Sequence, residues 1–151
     1  MFKKLFKFLF IDANLKDDVK FLKSIPLFQG VSDRALTKIA LLVFKKTVFA
    51  GEQIFHLGQD AQVIYIVKKG SIQLSGGSKE KTISAGACFG KISFIKNTKH
   101  NANAKAIENG ELYLIYRVKF EDLSESDGKT AFKIINNLLN ISVKQFDDLE
   151  A

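Results

Sequence analysis

Glycine punctuates the middle of this chain, at Gly51, Gly58, Gly70, Gly76-Gly77, Gly86 and Gly110. The apolar runs between these points are too short for helices. Lys46-Thr47-Val48-Phe49 alternates, Ile54-Phe55 restarts, Ile72 and Leu74 alternate, Thr82-Ile83 resumes, and Leu112 to Tyr116 ends the series. Alternation at period two marks strands with one buried face, while the unbroken Val63 to Val67 run suits a strand buried on both. Gly58 to Gln62 reads as a polar turn and Gly76-Gly77 as a hairpin. Short strands at regular spacing, joined by glycine turns, argue for a compact antiparallel barrel or double-sheet roll.

Helical periodicity governs both ends. On a helix over Met1 to Ile11, Phe2, Leu5, Phe6, Leu9 and Phe10 share one broad face, and Lys3, Lys4 and Lys7 share the other. Such a segment suits an anionic membrane surface or a protein partner; packing on its own domain or on a second copy is the alternative. We separate residues 1–14 as a basic amphipathic segment from a domain over residues 15–151. A second helix is expected from a cap at Asp12 or Asn14, with Leu15, Val19 and Leu22 at helical spacing, ending before Pro26. Ser32 caps the next, whose buried stripe is Leu36, Ile39, Ala40 and Val43. After Val118, Phe120 and Leu123 form a short helix that Asp127-Gly128 breaks. Ala131, Ile134, Ile135, Leu138, Leu139, Ile141 and Phe146 then give a last helix with a wide apolar face. Part of that face covers the roll, and the excess is available for a homodimer.

Length and composition narrow the function. A chain of 151 residues suits one domain able to bury its own core. A net charge of +7 favours acidic partners such as nucleic acid, anionic lipid or a phosphate ligand, although a lysine-rich surface also serves solubility. The single cysteine, Cys88, makes no internal disulfide and suits a reducing compartment. No run approaches the ~20 apolar residues of a membrane span. Lys7 interrupts the N-terminal apolar run and no cleavage site follows, so a signal peptide is not expected. The expected location is cytoplasmic, with peripheral membrane attachment as a variant. Catalysis is not expected. His56 and His100 are the only histidines, Cys88 has no identifiable partner, no nucleophile elbow is present, and Gly86 to Gly90 lacks the Gly-Lys-Ser/Thr of a phosphate-binding loop. Asp17-Asp18 and Asp147-Asp148 read as solvated helix faces. No metal site is expected.

Taken in order, these segments resemble the cyclic nucleotide-binding domain of catabolite activator proteins, kinase regulatory subunits and cyclic nucleotide-gated channels. The resemblance covers roughly Val19 to Phe146. It rests on Phe21 to Phe28, on Ala50-Gly51-Glu52-Gln53-Ile54-Phe55, on Gly58-Gln59-Asp60, on Tyr65 to Ile72, and on Ser84-Ala85-Gly86-Ala87-Cys88-Phe89-Gly90. It implies an α+β fold: an antiparallel β-roll (a double-stranded β-helix, jelly-roll-like) flanked by N-terminal helices and a C-terminal helix. It also implies a phosphate-binding cassette at Phe89, Gly90, Lys91, Ile92, Ser93, Lys99, His100, Asn101 and Ala102.

In this family a Glu directly after Phe-Gly accepts a hydrogen bond from the ribose 2′-hydroxyl, and an Arg beyond the short helix pairs with the cyclic phosphate. Aligned without a gap, these positions hold Lys91 and His100. Lysine has no acceptor, and histidine lacks Arg's two-pronged donor geometry. Asn101 stands where Ser or Thr is frequent, Ala102 keeps a small residue, and Ala61 replaces a usual Gly. Each lost charge-assisted bond is worth about 1.5–3 kcal/mol, together about two to four orders of magnitude in affinity. Lys99, beside His100, is a second amine that a small loop shift would bring toward a phosphate.

The function expected is a stand-alone regulatory domain whose ordinary cyclic AMP or cyclic GMP binding is weak or lost. The ligand is a cyclic nucleotide or another phosphate-bearing anion. The alternative is a degenerate fold serving membrane-surface, protein or dimer contacts, with Lys91 and His100 as ordinary surface polarity. In the family's transcription factors a DNA-binding helix pair follows the long helix. This chain ends at Ala151, so sequence-specific nucleic acid recognition is not expected.

Overall fold

The computed structural model describes residues 2–76 and 79–150, with side chains described except at residue 2, residues 4–12 and residues 145–150. The apolar N-terminal face, Lys4, Lys7, Phe146 and the Asp147-Asp148 pair therefore lie outside the described side chains; Lys3 is exposed.

Helix α1 (Phe2–Ser24) leads through a 3-10 turn (Pro26–Phe28) into α2 (Asp33–Leu42). The break expected at Asp12 or Asn14 does not occur, because α1 is one continuous helix. Asp and Asn favour caps, but inside a helix they cost only tenths of a kcal/mol, roughly up to 0.7, and no Gly or Pro stands there to stop the chain. Pro26 does stop it. The Ser32 hydroxyl accepts from the Ala35 N–H at 3.2 Å and so starts α2.

Eight strands follow: β1 (Phe44–Val48), β2 (Gln53–Phe55), β3 (Val63–Lys69), β4 (Ser71–Ser75), β5 (Lys81–Ser84), β6 (Cys88–Phe89), β7 (Asn103–Ala106) and β8 (Gly110–Tyr116). Helix α3 (Lys91–Lys96) interrupts them, and α4 (Arg117–Ser126) and α5 (Gly128–Glu150) end the described chain. Two antiparallel four-stranded sheets, ordered β1-β8-β3-β6 and β2-β7-β4-β5, face one another. This is an α+β roll, as the glycine pattern and the resemblance indicated. Strands β6 and β7 were not legible in the sequence pattern: one has two residues and the other is Asn-Ala-Lys-Ala.

The core has two parts, and β3 belongs to both. Ile64 and Ile66 pack with Leu22, Leu36, Ile39, Ile134 and Leu138 between the helices and the first sheet. Val63 and Val67 pack with Phe55, Ile72, Phe89, Leu112 and Leu114 inside the roll. The tight turn into β8 needs glycine: a Cβ on Gly110 would lie 2.1 Å from the Lys69 carbonyl oxygen.

Asp18 departs from its expected solvated face. It is buried, accepts a hydrogen bond from the Tyr113 hydroxyl at 2.6 Å, and pairs with the Lys45 amine at 2.7 Å. Helical spacing puts it beside Leu15, Val19 and Leu22, on the side of α1 that packs on the domain. Burial, and then the Asp18 carboxylate, push the Tyr113 hydroxyl well above its ordinary pKa.

Candidate functional site

Strand β6 delivers the chain to Gly90, whose φ of +75° is left-handed. A Cβ there would lie 3.2 Å from both the Tyr65 ring and the Val63 carbonyl oxygen. Glycine is thus required by conformation and by space. Helix α3 starts at once and ends at Asn97, also left-handed at φ 52°, where the Asn97 N–H donates to the Phe94 carbonyl and the Thr98 N–H to the Ser93 carbonyl. The returning loop is pinned to the early turn: the His100 N–H donates to Gln59, and the Gly58 N–H donates to His100, each at 2.8 Å.

This path borders a half-open cavity of about 100 Å³, lined by Phe89, Gly90, Lys91, Ile92, Ser93, His100, Asn101 and Ala102. Lys99 is not part of the lining; it is exposed, and its backbone bridges to Asp60. Phe55 and Leu74 complete the lining. Sequence reasoning missed both as site residues. The sequence placed them on strands, but only the pairing of β2 and β4 with β7 brings them to the cassette.

His100 is 5% exposed and lies flat on Phe55, with ring centroids 3.5 Å apart and planes 4° from parallel. Tyr65 stacks on Phe89 at 4.9 Å, and Phe55 lies 5.9 Å from Phe89, so the aromatic wall is continuous. Burial pushes the His100 pKa below its ordinary 6.5, and the imidazole is neutral at pH 7. Lys91 is 7% exposed. Burial pulls its ammonium pKa below the usual lysine value; the Cys88 thiol opposes this and the Lys81 amine adds to it. Among the described residues no carboxylate lies within ion-pair distance of its amine. Cys88 is buried too, and burial pushes its thiol up. These positions are therefore not ordinary surface polarity. Both side chains are buried and line the cavity.

Helix α3 is tied to the C-terminal helices. The Arg117 guanidinium donates to the Phe94 carbonyl and sits 4.4 Å over the Phe94 ring, whose edge meets Phe120 at 5.9 Å. Arg117 Nε is buried with no hydrogen-bond partner among the described residues. Among the described residues no group of three His, Cys, Asp or Glu side chains is placed to hold a metal. No described helix is long and apolar enough to cross a membrane.

Two facing four-stranded sheets, with a half-open cavity bordered by Gly90 and α3, define a β-roll with a candidate ligand cavity. Residues 34–127 match the family model of the cyclic nucleotide-binding domain, and the chain belongs to that family. The cyclic AMP receptor protein of Thermus thermophilus is 30% identical over 103 residues, which are 64% of this chain and 47% of that protein. The chain thus spans less than half of that relative. A cyclic nucleotide-binding domain from Methylobacillus flagellatus has the same fold, with a TM-score of 0.77 over 91% of this chain and 80% of that one, at 16% identity. So does the regulatory subunit of a cAMP-independent protein kinase A from Trypanosoma cruzi, bound to guanosine. Its TM-score is 0.70 over 85% of this chain and 47% of that one, at 17% identity.

Proposed function

We propose that this is a non-catalytic regulatory domain of the cyclic nucleotide-binding type, in which ordinary cyclic AMP and cyclic GMP binding is weak or lost. One observation carries the reading: the side chains at the two anchor positions, Lys91 and His100, are both buried against the ligand cavity. Residue 91 offers no acceptor to a ribose hydroxyl, and a neutral imidazole stacked on Phe55 offers no fork to a phosphate. The cavity, at about 100 Å³, is also below the roughly 300–1,000 Å³ of typical ligand pockets. That a related fold is bound to guanosine, a ligand without phosphate, supports the compatibility of this architecture with other ligands. The output runs from α3 through Arg117 and Phe120 into α4 and α5. Calorimetric titration with cyclic AMP and cyclic GMP tests the proposal. The expected dissociation constants are about 1 mM or weaker, and a low-micromolar constant overturns it.

A second reading, as an interaction module, is favoured by α5, which exposes Phe132, Leu139 and Val143 at 68%, 42% and 56% on one helical side. A second copy of the chain would cover this stripe as a homodimer. The basic pattern of residues 1–11 would add a peripheral contact with anionic membrane, at a cytoplasmic surface. Sedimentation over a range of concentrations tests the dimer. Leu139→Lys is expected to shift the protein toward monomer, and an unchanged monomer–dimer balance counts against it.

A further inference from the structure

A basic furrow runs between the N-terminal helices and shares no residue with the cassette cavity. Its first hollow, about 420 Å³, lies between α1 and α2. Leu15 and Val19 form its apolar floor, half-buried against the core. Lys16, Lys20 and Lys23 stand exposed beside them, at the i, i+4, i+7 spacing that puts them on one side of α1. Past Lys23 the furrow continues along Pro26, Gln29 and Gly30 as a second hollow of about 450 Å³. The Lys133 side chain of α5 lies over Gly30, where an added Cβ would come within 2.6 Å of the lysine Cε. On α2, Arg34 and Lys38 are exposed next to the lining residues Asp33 and Thr37. Asp33 is the carboxylate of the lining, and Lys23 holds it at 2.8 Å in a solvent-exposed pair of the kind that contributes little. Asp17, also exposed on α1, is outside the lining. Among the described residues Lys16, Lys20, Arg34, Lys38 and Lys133 make no ion pair.

We propose that this furrow is a docking surface for an acidic amphipathic segment of a partner protein, its apolar side chains on Leu15 and Val19 and its carboxylates on the lysines. Two hollows joined at Lys23 make an elongated site, which suits a peptide segment rather than a small molecule. The half-buried apolar floor favours a peptide over duplex nucleic acid or a flat anionic bilayer, either of which would meet the lysines and leave Leu15 and Val19 uncovered. A second copy is disfavoured by the +7 charge that each chain brings. In such a complex the lysines steer the encounter and set its salt dependence, while the floor supplies apolar burial. The surface is separate from residues 1–11 and from the cassette, so its failure leaves the regulatory reading standing.

The test is amide-resolved NMR titration of the full chain with a short helical peptide bearing leucine on one face and glutamate on the other. The expected result is saturating shifts within residues 15–24 and 29–38, with affinity falling as chloride is raised. Lys16→Glu/Lys20→Glu is expected to weaken binding roughly 10- to 100-fold, and Lys16→Arg/Lys20→Arg to retain it. The same peptide with glutamine for glutamate, or with serine for leucine, is expected to bind about ten-fold more weakly or worse. Absence of saturation in these residues, or affinity undiminished by the charge reversal, overturns the proposal. Should the charge-reversed variant not fold, the natural chain decides: a flat salt profile, or equal binding of the glutamine peptide, overturns it. Phosphatidylserine vesicles or a DNA duplex shifting these amides while the peptide is silent overturns the peptide assignment in favour of that partner.

Discussion

Lys91 stands against the stability of its own fold. Its side chain is largely buried, with no carboxylate at ion-pair distance among the described residues, so an apolar residue of similar length removes a desolvation cost. Lys91→Met is expected to stabilise the chain at pH 7 by about 1 kcal/mol or more in urea unfolding, and a loss of stability would contradict the burial argument. The pH dependence has a definite sign. The folded state depresses the His100 pKa below 6.5, so the unfolded chain binds the proton more readily. The stability this contributes is present above 6.5 and is lost as pH falls through the folded value. Lys91 acts in the same direction at higher pH: stability rises between its lowered folded pKa and 10.5. His100→Phe, which preserves a ring on Phe55, is expected to blunt the acid-side loss when stability is followed between about pH 7 and 5. An unchanged slope would show that other groups carry the acid sensitivity. The types of residue at 91 and 100 were legible in the sequence. Their burial was not, because hydrogen bonds from position 100 to a turn some forty residues earlier set which side of the loop faces inward.

At the scale of elements, two contacts join the roll to its helices. Asp18 holds α1 to the first sheet through Tyr113 and Lys45, and the Phe21 edge covers the Tyr113 ring at 5.4 Å. Asp18→Ala leaves a buried hydroxyl unpaired and is expected to cost about 1–3 kcal/mol in denaturant unfolding; no change would mean that water replaces the contact. Arg117 holds α4 to α3 at Phe94. Arg117→Ala is expected to lower hydrogen-exchange protection in α3 and in the first turn of α4, and protection left intact in both would remove Arg117 from the proposed route to α5. The long β-branched run of β3 was readable, since periodicity within one segment carries that information. Strands β6 and β7 were not, because their partners lie far along the chain and their own residues are few or small. The continuity of α1 was hidden by two good capping residues that remain inside the helix.

At the scale of the whole molecule, the order of glycine turns and short strands carried the fold, and the resemblance pointed to a candidate cassette within it. Lys99 shows the limit of such placement: adjacent to His100 in sequence, it lies outside the cavity because the backbone bridge at Asp60 turns it to solvent. We propose that the buried side chains at residues 91 and 100 would make cyclic nucleotide binding weak or absent in this roll. Calorimetric titration of Lys91→Glu/His100→Arg with cyclic AMP tests it most directly. The double variant is expected to bind about two to four orders of magnitude more tightly than the natural chain. A folded double variant that binds no better would contradict the account.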